Sequence, residues 1–232
     1  APVDSRLPSG GGYQICGLYD VVQAKAGQVV SKVVRAASFG KRTQIYDGFD
    51  LTTSARFANG AVLNGGMNIG RTATNNCFVV DSPQALLNCD ITPPFQPNVK
   101  IFGIYPVPLW GIQMSGVLQI IPGPEITANY VASNAEAFPT LHRNLASGPT
   151  GTVNVPLIKP GTLYADNSKQ LDIRFTKRFR LDRTHIEANV DIFNIVNGSG
   201  VQVHNVNFGT GWLGPRNLQL PRYVMVSTQV NF

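Results

Sequence analysis

The feature that most restricts what this chain can become is a two-residue alternation of apolar and polar side chains that returns segment after segment. Leu171, Ile173, Phe175 and Phe179 alternate with Gln170, Asp172, Arg174, Thr176 and Arg178, and Ile186, Ala188, Val190 and Ile192 alternate with Glu187, Asn189 and Asp191. The pattern also runs through Ile45 to Phe57, Ala61 to Thr72 and Trp110 to Ile120. At the end of the chain Val224, Val226, Thr228, Val230 and Phe232 fall on one face, and Tyr223, Ser227, Gln229 and Asn231 on the other. Successive side chains of an extended strand point to opposite sides, so a period of two means a strand with one apolar and one polar face. Weaker segments at Val29 to Ala37 and Val99 to Val107 bring the count to about eight strands of roughly 9 to 13 residues each, longer than ordinary strands and suited to tilted bilayer-spanning ones.

The connections are unequal. Short turns are expected at Ser38 to Arg42, Ala58 to Gly60, Pro108 to Leu109 and Leu181 to Thr184, and long polar loops at Ala73 to Pro97, Pro122 to Ser168 and Gly198 to Arg222. Such alternation marks an outer-membrane barrel with tight periplasmic turns and long outside loops, and a periplasmic C-terminus puts every short turn on the inner side. A soluble β-sandwich alternates too, but these polar positions are too rich in Asp, Glu, Arg and Asn for a sandwich core and suit a wet lumen. The expected fold is therefore all-β, an antiparallel transmembrane β-barrel segment of about eight long strands. Arg56, Gln113, Gln119, Asp172, Arg174, Arg178, Glu187 and Asp191 are expected to face the lumen, and Leu118, Ile173, Val190 and Val226 the lipid. Tyr105, Trp110 and Phe179, close to short turns, would form the periplasmic aromatic girdle.

Composition agrees with this reading. With 43% hydrophobic residues the chain is not disordered, while 14% charged residues, 23 Gly and 16 Pro disfavour a helical bundle. The uncharged stretch Ile101 to Pro124 is long enough to cross a bilayer, but Pro106, Pro108, Pro122 and Pro124 break any helix there. The formal charge of +6 comes from scattered Lys and Arg with no basic run interleaved with aromatics, so no nucleic-acid partner is expected. Ala1 to Gly12 has neither the basic nor the apolar region of a signal peptide. Cys77 and Cys89 enclose a polar loop containing Asp81, Ser82 and Pro83 and are expected to be bonded, which implies an oxidising compartment. Cys16 is left over, either for a partner outside this chain or as a free thiol.

No motif argues for catalysis. Gly209 to Gly214 spells a dinucleotide fingerprint, but Pro215 and a polar loop follow where a helix is needed. Its glycines are better placed to shape an outside loop, from which Trp212 could reach a ligand or the membrane interface. His142, His185 and His204 are far apart and no Cys-x-x-Cys pair occurs, so neither a metal site nor a cofactor is expected. The lumen charges on neighbouring strands are expected to pair with one another rather than serve a passing solute.

Four stretches, Arg6 to Val21, Tyr46-Asp-Gly-Phe-Asp50 onward, Asn76 to Pro83, and Asp191-Ile-Phe-Asn-Ile-Val-Asn197, resemble the C-terminal barrel region of TonB-dependent receptors. They are most similar to the acidobacterial type associated with a carboxypeptidase-regulatory-like domain. The terminal Phe232 similarly resembles the signal read by the barrel-assembly machinery. The resemblance implies that residues 1 to 232 are the C-terminal part of a barrel whose plug and N-terminal strands lie outside this chain. It further implies a bacterial outer-membrane location and partners in membrane lipid, the rest of the receptor, a TonB-type energy coupler and an imported solute. The implied role is a non-enzymatic one in solute binding and import. Two alternatives stand beside it: a structural or adhesive β assembly, and a small stand-alone eight-stranded barrel without transport activity.

Overall fold

The computed structural model describes residues 1–78 and 83–232, with the backbone alone at Ala36. In chain order the strands and helices are β1 (Thr43–Arg56), β2 (Val62–Asn75), the one-turn α1 (Pro83–Leu86), β3 (Asp90–Ile91), β4 (Gln96–Val107), β5 (Ile112–Ile121), β6 (Asn129–Ser133), α2 (Asn134–Leu141), β7 (Thr152–Pro156), β8 (Ser168–Leu181), β9 (Thr184–Phe193), β10 (Val201–His204), β11 (Pro215–Leu218) and β12 (Tyr223–Asn231). The protein is all-β in class. Seven long strands form one antiparallel sheet in the order β1, β2, β4, β5, β8, β9, β12, with the two-residue β3 added beside β2.

The register carries the alternation across the whole sheet. Gln119 opposes Gln170, Arg174 opposes Asp191 and Ser227 opposes Asn189, while Leu118 opposes Leu171, Ile173 opposes Ile192 and Val190 opposes Val226. Opposed residues share a face, so the eight polar candidates from Arg56 to Asp191 all lie on one side of the sheet and the apolar set on the other.

Turn chemistry fixes this pairing. The two-residue connection between β8 and β9 places Asp182 at φ 52°, a left-handed conformation that Asp tolerates better than most residues. On the β1–β2 hairpin Gly48 opposes Gly70, and a methyl group on either would strike the ring of Tyr46. The two glycines thereby leave room for that ring to lie over the ladder, with its hydroxyl accepting a 2.6 Å hydrogen bond from Asn68.

The three hairpin turns and the end of β12 gather at one end of the sheet, and the long connections at the other. Those connections are folded. The β6–β7 hairpin, α2, the β10–β11 hairpin and the first fifteen residues build a cap whose apolar core is Leu7, Ala128, Ala132, Val155, Leu157, Ile158 and Trp212. The sheet contributes no buried hydrophobic side chain to this core. Its apolar face stays uncovered, with Phe49, Leu51, Phe175, Val190 and Val226 all exposed.

Several expectations are corrected. Val29 to Ala37 forms no strand, because none of the described residues lies alongside to pair with it, and the sheet begins at β1. Ser38 to Arg42 is accordingly not a hairpin turn. It leads into Thr43, which opposes Asn75, at the long-connection end. Trp110 lies in the β4–β5 turn rather than in a strand, at φ 61° beside Gly111 at 58°. Among the described residues no ladder joins β1 to β12, so the sheet is open. The expected loop residues Asp81 and Ser82, with part of the likeness from Asn76 to Pro83, fall outside the described residues. Over Ile101 to Pro124 the chain forms the β4–β5 hairpin, and no described helix is long and apolar enough to cross a membrane.

Candidate functional site

The polar face is the first candidate surface, and cross-strand pairing decides its chemistry. Arg174 donates from Nε to Asp191 Oδ1 at 2.5 Å and from Nη2 to Oδ2 at 3.1 Å, the two-point fork that a guanidinium offers a carboxylate. Two residues along, Thr176 donates to Asn189 at 2.7 Å, and beyond it Arg178 donates to Glu187 at 2.6 Å. Asp172 accepts from Gln170 Nε2 and, at 2.7 Å, from the backbone N–H of Asn194. Arg174 and Arg178 of β8 are thus each paired with a carboxylate of β9. Gln113 and Gln119 lie on the same face opposite Thr176 and Gln170, and Arg56 opposes Val62 at the short-turn end.

The simple alternation missed that this face is interrupted by apolar residues. Phe102, Ile104 and Pro106 on β4, with Val117 on β5, fall in line with the polar positions, and Phe193 stacks on Tyr223 at 4.6 Å between ring centres. A hollow of about 260 Å³ opens between Phe102, Val117, Phe193 and the Arg174–Asp191 pair. Only the register, which aligns short-range exceptions from separate strands, reveals that these residues meet.

At the long-connection end the cap is tied together by polar contacts as well as by its core. Arg6 donates to the carbonyls of Trp212 and Gly209, both at 3.0 Å, and its guanidinium lies 5.4 Å from the Trp212 ring centre. Hydrogen bonds from Arg6 hold the Asp4 carboxyl down at about 2. In α2, Ser133 and Glu136 form a capping box, and Glu136 also accepts from the Tyr130 hydroxyl. That phenol contact is the main reason the Glu136 carboxyl titrates below its ordinary range.

Trp212 is not available to a ligand. It is 2% exposed in the cap core, and its Nε1 donates to the Thr127 carbonyl at 2.8 Å. The fingerprint-like Gly209 to Gly214 runs into strand β11, not a helix. Cys77 and Cys89 are bonded, with Cα atoms 4.9 Å apart, and Cys16 is an exposed free thiol. His142 ends α2 in the left-handed conformation, His185 opposes Arg180 and Asn231 at the short-turn end, and His204 sits in β10 with Nδ1 3.2 Å from the Leu213 carbonyl. The three therefore do not converge, and no cluster among the described residues could hold a metal ion. Tyr105 and Phe179 stand on the apolar face toward the short turns. Exposed Trp110 lies in the adjoining turn, where its carbonyl accepts from Lys177. Phe232 follows the last paired residue of β12 and is fully exposed.

Comparison of the chain with protein-family models, curated proteins and solved structures finds no match.

Proposed function

We propose that this chain is the C-terminal barrel section of an energy-coupled outer-membrane receptor that binds and imports a solute. One observation carries the reading: a single open sheet keeps an uncovered apolar face and a polar face in register across seven long strands, while the apolar core formed by the described residues lies off the sheet. A soluble sandwich would cover that face with a second sheet. Lipid covers it without one, and the paired charges then line the interior. The bare edges β1 and β12 would be satisfied by further strands of the same receptor, since unpaired backbone groups in lipid cost several kcal/mol apiece. The plug and the TonB-type coupler follow from the likeness, with the cap forming part of the outside surface.

The bare edges also fit the second reading, in which copies pair edge to edge as a structural assembly. Reconstitution of the purified chain into vesicles separates the two. Under the receptor reading, single-cysteine variants at Val190 and Val226 are shielded from a membrane-impermeant thiol reagent, and solute flux is absent until the missing strands and plug are supplied. Native mass spectra dominated by long oligomers, with Val190 and Val226 freely labelled, would favour the assembly. Steady flux through the chain alone would show that the functional unit is smaller than proposed.

A further inference from the structure

Although Lys and Arg are scattered along the chain, the excess of cations over carboxylates falls largely in one stretch. Between Asp20 and Asp47 lie Lys25, Lys32, Arg35, Lys41 and Arg42 and no acidic residue, so this stretch supplies nearly all of the formal +6. It holds no strand, and every described side chain from Val21 to Arg42 is exposed. Val29, Val30 and Val33 are among the most exposed apolar residues of the chain, and they stand in pairs between the cations as Val29-Val30, Lys32, Val33-Val34 and Arg35. Hydrogen bonds within the stretch are local, from Lys25 N to the Val22 carbonyl, Gln28 N to the Lys25 carbonyl and Ser38 N to the Arg35 carbonyl. None of its five cations is in an ion pair among the described residues.

Both ends of this strap are fixed. Asp20 accepts from Arg143 at 2.7 Å and from the N–H of Ala146 at 3.0 Å, which moors one end to the cap. The other end runs past Phe78, which packs against Gly40, into Thr43 at the long-connection end of edge strand β1. The strap is therefore held at the level where the sheet's apolar face stops and the cap begins. We infer that residues 21 to 42 dock onto an anionic lipid surface at the outer rim of the sheet, the cations on headgroup phosphates and the valines between them in the interface. This rests on the membrane reading above. Charge complementarity selects the partner: five cations with no counter-charge among the described residues match a sheet of phosphates, and apolar side chains beside basic ones favour an interface over a free anion in water.

The test floats the full chain with vesicles of zwitterionic lipid alone and of zwitterionic lipid mixed with phosphatidylglycerol. Trypsin cleavage is then followed at Lys25, Lys32 and Arg35. The inference expects flotation with both, with cleavage slowed about tenfold or more only in the anionic vesicles, and protection lost at ~1 M salt, where charges are screened within about 3 Å. A variant with all five cations changed to Gln should not distinguish the two membranes in docking, read by impermeant labelling of Val33→Cys with Cys16→Ser, which removes the exposed native thiol. Flotation with both and equal cleavage overturns the inference and keeps the membrane reading. Protection in both membranes overturns it in favour of burial against protein. Flotation with anionic vesicles alone, abolished in the Gln variant, supports the docking and rejects the embedded sheet. Flotation with neither rejects both.

Discussion

Arg174 and Asp191 face each other across β8 and β9 in unequal surroundings: the carboxylate side chain is 5% exposed and the guanidinium 46%. Losing either partner therefore has a different consequence. Arg174→Ala strands a buried carboxylate, at a cost of about 1–3 kcal/mol, whereas Asp191→Ala leaves a cation that water can solvate, at a smaller cost. Urea unfolding of the two variants beside the parent protein measures the difference. Equal losses would contradict the asymmetry.

Neighbouring residues on one strand supply a second test. Leu118 and Gln119 occupy opposite faces of β5. In a lipid-facing sheet, Leu118→Arg should cost about 2–4 kcal/mol near the midplane and Gln119→Arg far less. Folding titrations in vesicles read both. Similar costs would remove the argument that one face meets lipid.

The bond between Cys77 and Cys89 closes a short loop beside β2. Reduction should remove roughly 3 kcal/mol of chain-entropy stabilisation from that loop. Non-reducing peptide mapping should recover the two cysteines as one linked peptide pair with Cys16 alkylated. Hydrogen exchange after reduction should rise around Asn76 and Cys89, where the backbone bond between them lies, and remain unchanged in β8.

Acid should release the first residues of the chain as the Asp4 carboxyl takes up its proton. The Asp4 carboxyl titrates at about 2 in the folded chain against 3.8 unperturbed, because Arg6 donates to its ionised form. A lowered folded value means that the stabilisation is complete above the unfolded value and disappears as pH falls through the folded one. Protection of the Arg6 and Leu7 amides should thus be flat from pH 7 to about 5 and decline between about 4 and 2. Asp4→Asn should flatten that decline, and a decline of equal size in the variant would assign the transition to another group.

Strand content was legible where local pattern and partner agreed. On β8 and β9 the alternation places Arg174, Arg178, Glu187 and Asp191 on one face, where charges of neighbouring strands are expected to pair, and the register then decides that Arg174 takes Asp191 and Arg178 takes Glu187. Val29 to Ala37 is rich in strand-forming valines but has no described segment beside it, and backbone pairing, unlike propensity, needs a second chain segment. The β4–β5 turn depends on left-handed Trp110, a residue that gives no turn signal of its own. Trp212 looked like a loop aromatic because the residues that bury it come from Leu7, Ala128 and Leu157, distant along the chain. Phe102 and Val117 on the polar face escaped notice because they lie on different strands, and only their opposition makes a patch.

Separation of the buried core from the sheet has a calorimetric consequence. Heat capacity rises on unfolding chiefly because apolar surface becomes hydrated. The cap, with Trp212, Leu157 and Ile158 sealed from water, should melt with that increment. If the sheet is embedded as proposed, side chains such as Phe175 and Val226 are solvated by detergent or lipid before and after it loosens and should add little. A protein built this way would give two thermal transitions governed by different solvents. Cosolutes that alter water would move the first, and acyl-chain length the second.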